Sequence, residues 1–302
     1  MDNKINMGDA NQITRAYFDS LLVEMRHMDS VLPSTQMELY GETFSTPIMM
    51  AALSHLKGLH ENGMVEMAKA SAALHSVMWA GMGDEAELEQ ILATGARTIK
   101  IIKPYADDER VLRKIAHAEQ NGALAVGMDL DHAFNRNGEY DNVRGFEMRP
   151  RTLDDIRGYV KMTKLPFVIK GVLSVKEALK CLDAGVQGIV VSHHHGILPY
   201  AVPPLMVLPE IMDAVGGRMP VFVDCGIMTG MDAFKALALG ATAVSAGRIV
   251  VGPIAAEGVE GAKNIIGRMT KELAGAMART CSVDVRHIDS SLIWRNDGHR
   301  VR

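Results

Sequence analysis

The sequence predicts an α/β protein that folds as a (β/α)8 TIM barrel. Eight short apolar runs recur along the chain, and segments with helical spacing or turns separate them. Continuous apolar runs are typical of parallel strands that helices cover on both faces. Eight such units indicate a closed barrel. The runs are Thr46–Leu53, Ser76–Met82, Thr98–Tyr105, Ala123–Asp129, Pro166–Val172, Gly188–His194, Pro220–Gly226 and Thr242–Arg248.

The segments between the runs support this prediction. Stretches such as "DEAELEQILATG" and "SVKEALKCLDAG" have helical spacing and a glycine just past the last turn, where helices commonly end. The alternative is a doubly wound open sheet. That fold usually has fewer strands or a glycine-rich turn after the first one, and "AALSHLKG" is not GxGxxG. The barrel is therefore favoured.

Two segments interrupt the repeat. The stretch from Leu130 to Thr152 is long and polar and follows the fourth run, so we expect an active-site loop or lid at the carboxyl ends of the strands. The first 45 residues contain the helix-like "NQITRAYFDSLLVEMRHM" and are expected to cap the barrel bottom or to form an oligomer contact. We therefore divide the chain into a helical extension, residues 1–45, and a barrel, residues 46–302.

Composition excludes several classes of protein. The formal charge is -4, and no Lys/Arg block interleaves with aromatic residues, so nucleic acid is not an expected partner. The three cysteines are widely spaced and match neither a disulfide framework nor a metal site. No signal peptide or membrane-spanning run is recognisable. We therefore expect a cytoplasmic protein that acts on a small molecule.

Candidate functional residues lie at the ends of the runs, where barrels carry their chemistry. Lys170 is the most informative, because "PFVI" precedes it and "GV" follows it, and a buried ammonium needs a partner or a ligand. The alternative is a structural ion pair across the barrel. The last two runs end in "DCG" and "AGR", whose glycines and Arg248 suit a phosphate site.

Three consecutive histidines, His193 to His195, follow the sixth run. If the strand stays extended, His193 and His195 point one way and His194 the other. A metal site is the weakest interpretation, because no HxxxH or HExxH spacing is present, and we predict none. A proton-transfer role needs only one imidazole. On the residues alone, histidines that merely satisfy turn carbonyls have equal weight.

The motifs also resemble a known family. The stretches "LPFVIKGVLSVKEALKCLDAGVQGIVVSHHHG" and "PVFVDCGIMTGMDAFKALALGATAVSAGR" closely resemble the FMN-dependent α-hydroxy-acid oxidases and dehydrogenases, such as glycolate and lactate oxidases. The resemblance is dense from Leu165 to Arg248 and covers most of the chain. It implies FMN as cofactor, a homo-oligomer of four or more subunits, and His194 and Lys170 as catalytic residues. The cofactor-binding residues that it implies are Ala51, Ala52, Lys100, Lys170, Ser192, Asp224, Gly226, Gly247 and Arg248.

This sequence departs from the family where the substrate binds. Ile197 replaces the arginine that holds the substrate carboxylate, and Met228 and Thr229 replace two arginines of the phosphate turn. The segment is also one residue short, so His193 is the alternative base. Losing a carboxylate-binding arginine costs about 2 to 5 kcal/mol of binding. The residues that we predict as replacements are His193, His195, Lys103, His132 and Arg136.

The function that we expect is an FMN-dependent oxidoreductase acting on CH–OH groups, with proton abstraction by a histidine and hydride transfer to the flavin. Its substrate is an α-hydroxy acid or a related hydroxylated compound, and an atypical one because of the missing arginine. A redox-neutral FMN-dependent isomerase and a non-catalytic flavin-binding barrel are the alternatives.

Overall fold

A computed structural model describes residues 8–301. At its centre eight parallel strands form a closed barrel, in the spatial order β10-β11-β12-β13-β4-β5-β6-β7. Each of the eight apolar runs overlaps one of them, so the predicted barrel is confirmed. Strands are numbered in chain order, and those of the barrel are β4 (Ile48–Leu53), β5 (Val77–Ala80), β6 (Arg97–Ile102), β7 (Ala125–Asp129), β10 (Phe167–Val172), β11 (Ile189–Val191), β12 (Val221–Val223) and β13 (Ala243–Ala246).

Helices surround the barrel, and most begin at a residue whose side chain caps the first turn. Ser174, for example, accepts a hydrogen bond from the backbone N–H of Glu177, which satisfies one of the free donors at a helix start. The last helix bends at Gly258, whose φ is 57°. The helices are α1 (Ala10–Ser20), α2 (Gly63–Ala73), α3 (Glu85–Ala93), α4 (Asp108–Gln120), α5 (Leu153–Lys161), α6 (Val175–Asp183), α7 (Pro204–Val215), α8 (Gly230–Ala238) and α9 (Arg248–Ala278).

Strand register brings the candidate residues together. In the pairing of β7 with β10, Asp129 lies opposite Lys170, at the carboxyl end of both strands. Gly127 permits this close approach, because a Cβ there would lie 2.1 Å from the carbonyl oxygen of Val168. The register therefore places a buried cation beside a buried carboxylate at the mouth of the barrel.

Residues 8–45 contact both ends of the barrel and include a helix, a short strand and a hairpin. Helix α1 ends at Ser20, and Leu21–Val23 forms strand β1, which pairs with β14 (Ile293–Arg295). This distant pairing is why the helix-like pattern ends early. Helix α1 lies over the carboxyl ends of the strands, since Arg15 binds Asp232 at the start of α8.

A β-hairpin closes the opposite end of the barrel. It consists of β2 (Met37–Leu39) and β3 (Glu42–Phe44). The Tyr40 hydroxyl donates to the carbonyl of Gln187, just before β11, and Glu42 binds Arg97 at the start of β6. The cap at the bottom of the barrel is therefore this hairpin, and the N-terminal helix covers the top.

The polar stretch from Leu130 to Thr152 forms a loop at the top of the barrel. It begins with a short 3-10 helix, Leu130–His132, and continues as a small hairpin of β8 (Asn142–Val143) and β9 (Phe146–Glu147). The 3-10 turn carries His132 to the end of β11, where it meets His194. The predicted location of this loop agrees with the structure. Among the described residues, no helix is long and apolar enough to cross a membrane.

Candidate active site

Lys170 lies at the centre of a buried ionic cluster. Its Nζ is 3.3 Å from Asp224 Oδ2 and 3.6 Å from Asp129 Oδ1, and it donates to Ser192 Oγ at 3.3 Å. Burial alone would lower the pKa of the ammonium, but the charges of Asp129 and Asp224 hold it above its ordinary value. Lys170 is therefore a permanent cation in a nearly dry environment.

Three carboxylates surround this cation, and their environments differ. Burial would raise the pKa of Asp129, but Lys170, His194 and Lys103 hold it well below its ordinary value. Burial would also raise the pKa of Asp224, but the charge of Lys170 lowers it. In contrast, burial and the charge of Asp129 raise the pKa of Asp131. Asp131 is thus the most basic of the three.

The triple histidine forms a turn and does not continue the strand. His194 and His195 have left-handed backbone conformations, with φ of 45° and 59°. The backbone is therefore not extended here, because the strand ends at Val191, and the turn determines the directions of the three side chains. Such conformations are costly for residues other than glycine and are common at functional sites. Each histidine consequently has a different surrounding.

His194 points into the ionic cluster. Its Nδ1 lies 2.7 Å from Asp131 Oδ1 and 3.1 Å from Asp129 Oδ1. Burial would lower the pKa of the imidazole, but the Asp129 charge and both hydrogen bonds raise it to about 9. Its other nitrogen, Nε2, lies 3.1 Å from Nε2 of His132. His194 is thus oriented by carboxylates at one side and faces a second imidazole at the other.

His193 and His195 have other partners. The Nδ1 of His193 accepts from the N–H of Gly196, so its Nε2 carries the proton and donates to Thr14 Oγ1 at 2.8 Å. His195 Nδ1 lies 2.8 Å from Asn11 Oδ1. Burial lowers the pKa of both imidazoles. The two rings attach the turn to helix α1, and only His194 reaches the carboxylates.

A cavity of about 180 Å³ opens beside the cluster at the carboxyl ends of the strands. A larger surface cavity, of about 950 Å³, lies between α1, α7 and the C-terminal strand and contains none of the strand-end candidates. We assign the site to the smaller cavity because the buried charges converge there. Its lining residues are Ala51, Ala52, Leu53, Lys170, His194, His195, Asp224, Cys225, Gly226, Ile227, Met228, Ser245, Gly247 and Arg248.

The chain has clear relatives. The sequence model of the FMN-dependent dehydrogenase family matches residues 2–154 and 149–295. A peroxisomal (S)-2-hydroxyacid oxidase of Arabidopsis thaliana is 32% identical over 292 residues, which cover 85% of this chain and 79% of that protein. An L-lactate oxidase of a Roseobacter strain is 30% identical, with 86% and 79% coverage. The chain belongs to the FMN-dependent dehydrogenase family.

Solved structures agree with this assignment. The crystal structure of a mandelate oxidase superimposes with a TM-score of 0.87 at 28% identity, covering 95% of this chain and 90% of that one. Another neighbour is a mandelate oxidase with a monooxide FMN adduct, with a TM-score of 0.87, 29% identity and coverage of 95% and 92%. The resemblance found in the sequence, the barrel and FMN as the cofactor are therefore confirmed.

Residues at this cavity have the chemistry to hold parts of such a cofactor. Ser245 Oγ is buried, lines the cavity and has no partner, so a polar group of a ligand would satisfy it. Helix α9 begins at Arg248, and no side chain caps it at Gly247, which leaves backbone N–H groups for an anion. Arg248, Gly247 and Gly226 line the same cavity, so these residues could hold the phosphate. Lys170 also lines it and could contact the ring.

Some predicted site residues are elsewhere. Lys100 does not line this cavity, because its Nζ donates to the carbonyl of Gly81 at 2.5 Å. Burial lowers the pKa of this ammonium to about 8, helped by the charge of Lys114. Lys103 is bound to Asp129 at 2.7 Å, and Arg136 is exposed on the loop. Of the predicted replacements for the arginine, His195 lines the cavity and His132 touches His194.

The histidine and carboxylate cluster also has the composition of a metal site. One ligand-type atom from each of Asp129, Asp131, His132 and His194 lies within 4.8 Å of the others. However, ammonium groups of Lys103 and Lys170 already approach both oxygens of Asp129. Two buried ammonium groups so close to Asp129 would repel a divalent metal ion bound there. The cluster is better described as a proton-holding hydrogen-bond network.

Sequence reasoning missed three residues of this site. Asn11 Oδ1 accepts from Arg248 Nη2 and lies beside His195, but nothing local in the sequence indicates that α1 covers the cavity. Asp141 contacts His132 at 3.1 Å from within the loop. Ser245 lies two residues before Gly247 in the eighth run. Strand alternation on that run was the one signal that could have identified it.

Proposed function

We propose that this protein oxidises a 2-hydroxy acid, with His194 as the base that takes the carbinol proton. The observation that carries the proposal is the position of His194 at the cavity, with Nδ1 against Asp129 and Asp131 and with Lys170 beside it. A carboxylate that orients an imidazole and stabilises its charged form is the usual support for a histidine base. FMN supplies the hydride acceptor when it is bound.

The protein side chains have separate tasks in this reaction. Asp129 and Asp131 hold the imidazole of His194 and stabilise it once it has gained the proton. Ser192 fixes Lys170 and the backbone of His194, so the charge of Lys170 would stabilise negative charge on the cofactor ring. Arg248, Gly247 and Gly226 would hold the phosphate. Helix α1 lies beside the cavity, where Asn11 contacts His195 and Arg248.

The substrate differs from the usual small hydroxy acids in how it is held. Ile197 is the residue at the place of the arginine, and two cations of the ionic cluster, Lys103 and Lys170, are already paired with carboxylates. His195 and His132 are the candidates that remain close to the cavity. We therefore propose a substrate whose binding depends on contacts other than a buried arginine.

The visible spectrum of the purified protein tests this function. We expect flavin absorbance that bleaches when the anaerobic protein is mixed with a suitable (S)-2-hydroxy acid and returns with an electron acceptor. His194→Asn should retain the flavin and abolish bleaching, whereas the exposed His299→Asn serves as a matched control. A protein that neither contains nor takes up FMN would refute the proposal. A flavin that no hydroxy acid reduces would favour a redox-neutral reaction.

We also propose that the chain forms a homo-oligomer of four or more subunits in the cytoplasm. Large apolar side chains of the N-terminal extension are exposed, namely Met25, Met28, Val31 and Leu32. Contiguous exposed apolar surface often marks a subunit contact. All three cysteines are free, which suits a reducing compartment. Light scattering that gives the mass of a single chain would contradict the oligomer.

A further inference from the structure

His132 and His194 are close enough to share a proton. Their Nε2 atoms are 3.1 Å apart, and the rings meet edge to face with centroids 4.3 Å apart. Two imidazole nitrogens at hydrogen-bond distance need one hydrogen between them, because two bare lone pairs repel. The protonation of the outer nitrogens, which are Nδ1 of His132 and Nδ1 of His194, decides where that hydrogen comes from.

The outer nitrogens both carry hydrogen. Nδ1 of His194 faces the carboxylates of Asp131 and Asp129 at 2.7 and 3.1 Å, and Nδ1 of His132 faces Asp141 Oδ2 at 3.1 Å. Ionised carboxylates only accept, so each Nδ1 must donate. Neutral rings would then leave both Nε2 atoms bare. The pair therefore holds a third proton, located between the two Nε2 atoms.

The charges around the pair place this proton on His194. Asp129 and Asp131 raise the pKa of His194 to about 9 against the effect of burial. Burial and the charges of Lys103 and His194 lower the pKa of His132. At neutral pH the nitrogen that should act as the base is thus protonated and donates to His132. The groups facing the pair are Asp129, Asp131, Lys170, Asp224, Lys103 and Asp141.

We propose that His132 and Asp141 form the path by which protons leave His194. The Nε2 proton of His194 passes to Nε2 of His132, while the Nδ1 proton of His132 passes to Asp141, whose side chain is 21% exposed. His194 is then a free base. This inference rests on the proposed function, in which the Cα–H electron pair leaves the substrate as hydride to FMN and the carbinol proton goes to His194.

The path also operates after the chemical step. The carbinol proton on His194 must leave before the next turnover, and the opposite side of the ring is closed by Asp129 and Asp131. His132 is the group that links His194 to the more exposed Asp141. Burial and the charge of Lys103 lower the pKa of His132, so at rest it is able to receive a proton and does not hold one permanently.

Histidine-selective NMR on the purified protein tests the shared proton without substrate. Two strongly interacting groups lose their protons in two steps that belong to the pair. In the wild type we expect the pair to lose one proton well above pH 6.5 and one below it. In His132→Gln we expect a single titration step. His287→Gln is the matched control, because His287 also pairs with an aspartate but is exposed. Independent titration of both rings near pH 6.5 would overturn the shared proton.

Turnover measurements test the path itself. We expect His132→Ala and Asp141→Asn to lower kcat by roughly tenfold or more, since acid–base groups contribute about 100-fold or more. Asp141 does not line the cavity, so KM of Asp141→Asn should change little. Added imidazole should restore His132→Ala in proportion to its concentration, because it replaces the missing carrier. His132→Gln keeps a hydrogen bond but carries no proton, so it should stay slow. Full turnover of His132→Gln would overturn the proton path.

The two measurements separate this inference from the proposed function. If no hydroxy acid reduces the flavin while the pair still titrates in two steps, the proposed function and the path fail, and the shared proton stands. If hydroxy acids reduce the flavin in the wild type and in His132→Gln at equal rates, the proposed function stands and the path fails.

Discussion

Neutralising Asp129 should move the pH dependence of the reaction. His194 must be free of its Nε2 proton to act as a base, so kcat/KM of the wild type should rise with pH and level off above about 9. The charge of Asp129, 3.1 Å from Nδ1, is the largest contribution that raises this pKa. Raising it from 6.5 to about 9 corresponds to roughly 3 kcal/mol, at about 1.4 kcal/mol per pKa unit.

The variant Asp129→Asn removes that charge and leaves an amide of the same shape. Because an adjacent opposite charge shifts a pKa by about one to three units, the rise in kcat/KM should move at least one pH unit lower. Lys170 keeps Asp224 as its partner, so the flavin site should stay intact. The assay is steady-state oxidation of a bleaching substrate between pH 6 and 10, with the exposed Asp213→Asn as control. An unshifted profile in a folded, yellow Asp129→Asn protein would refute the assigned role of Asp129.

Three further predictions concern stability and reactivity. The pKa of His194 in the folded protein lies above 6.5, so its contribution to the free energy of unfolding is complete below pH 6.5 and disappears as the pH rises through 9. Urea unfolding at a series of pH values should show this loss of stability in the wild type and not in His194→Gln. Lys170→Met should cost about 3 to 5 kcal/mol in urea unfolding, because it leaves buried carboxylates unpaired, and Lys170→Arg should cost less. Burial raises the pKa of the Cys225 thiol to about 12, so iodoacetamide at pH 8 should label Cys281, which is partly exposed, before Cys225. Mass spectrometry can measure the labelling of each cysteine, and equal labelling would contradict this prediction.

The barrel was predictable because its signal is local. Each strand is a continuous apolar run, and Lys170 was conspicuous because a charge interrupts such a run. Knowing that strand ends converge was enough to predict that Lys170, Ser192, Asp224 and Arg248 lie near one another. The pairing of neighbouring strands then determines the contact of Lys170 with Asp129.

The contacts that the sequence did not reveal depend on segments with irregular backbone. His132 reaches His194 through a 3-10 turn, and His194 itself has a φ of 45°, which no period in the sequence indicates. Asn11 reaches Arg248 because helix α1 lies over the barrel, where distant contacts hold it, among them the ion pair of Arg15 with Asp232 and the burial of Phe18. Long-range contacts of loops and termini are decided by tertiary packing, so local pattern does not encode them.

The charge balance of the site leads to a last prediction, about the substrate. Three carboxylates, Asp129, Asp131 and Asp224, face three cations, Lys103, Lys170 and protonated His194, so each cation of the ionic cluster already has a carboxylate partner. Arg248 also lines the cavity, and we assign it to the phosphate of the cofactor. An arginine that binds a buried carboxylate contributes about 2 to 5 kcal/mol, and Ile197 contributes none of this.

We therefore expect this enzyme to discriminate weakly between a 2-hydroxy acid and its neutral methyl ester. The values of kcat/KM for the pair should lie within about tenfold of each other, because the lost interaction would otherwise separate them by roughly 30-fold or more. Replacing Ile197 with Arg should restore a preference for the acid, with Ile197→Met as the uncharged control. A preference for the acid of a hundredfold or more in the wild type would mean that another cation, such as Arg136 on the loop, reaches the substrate during turnover.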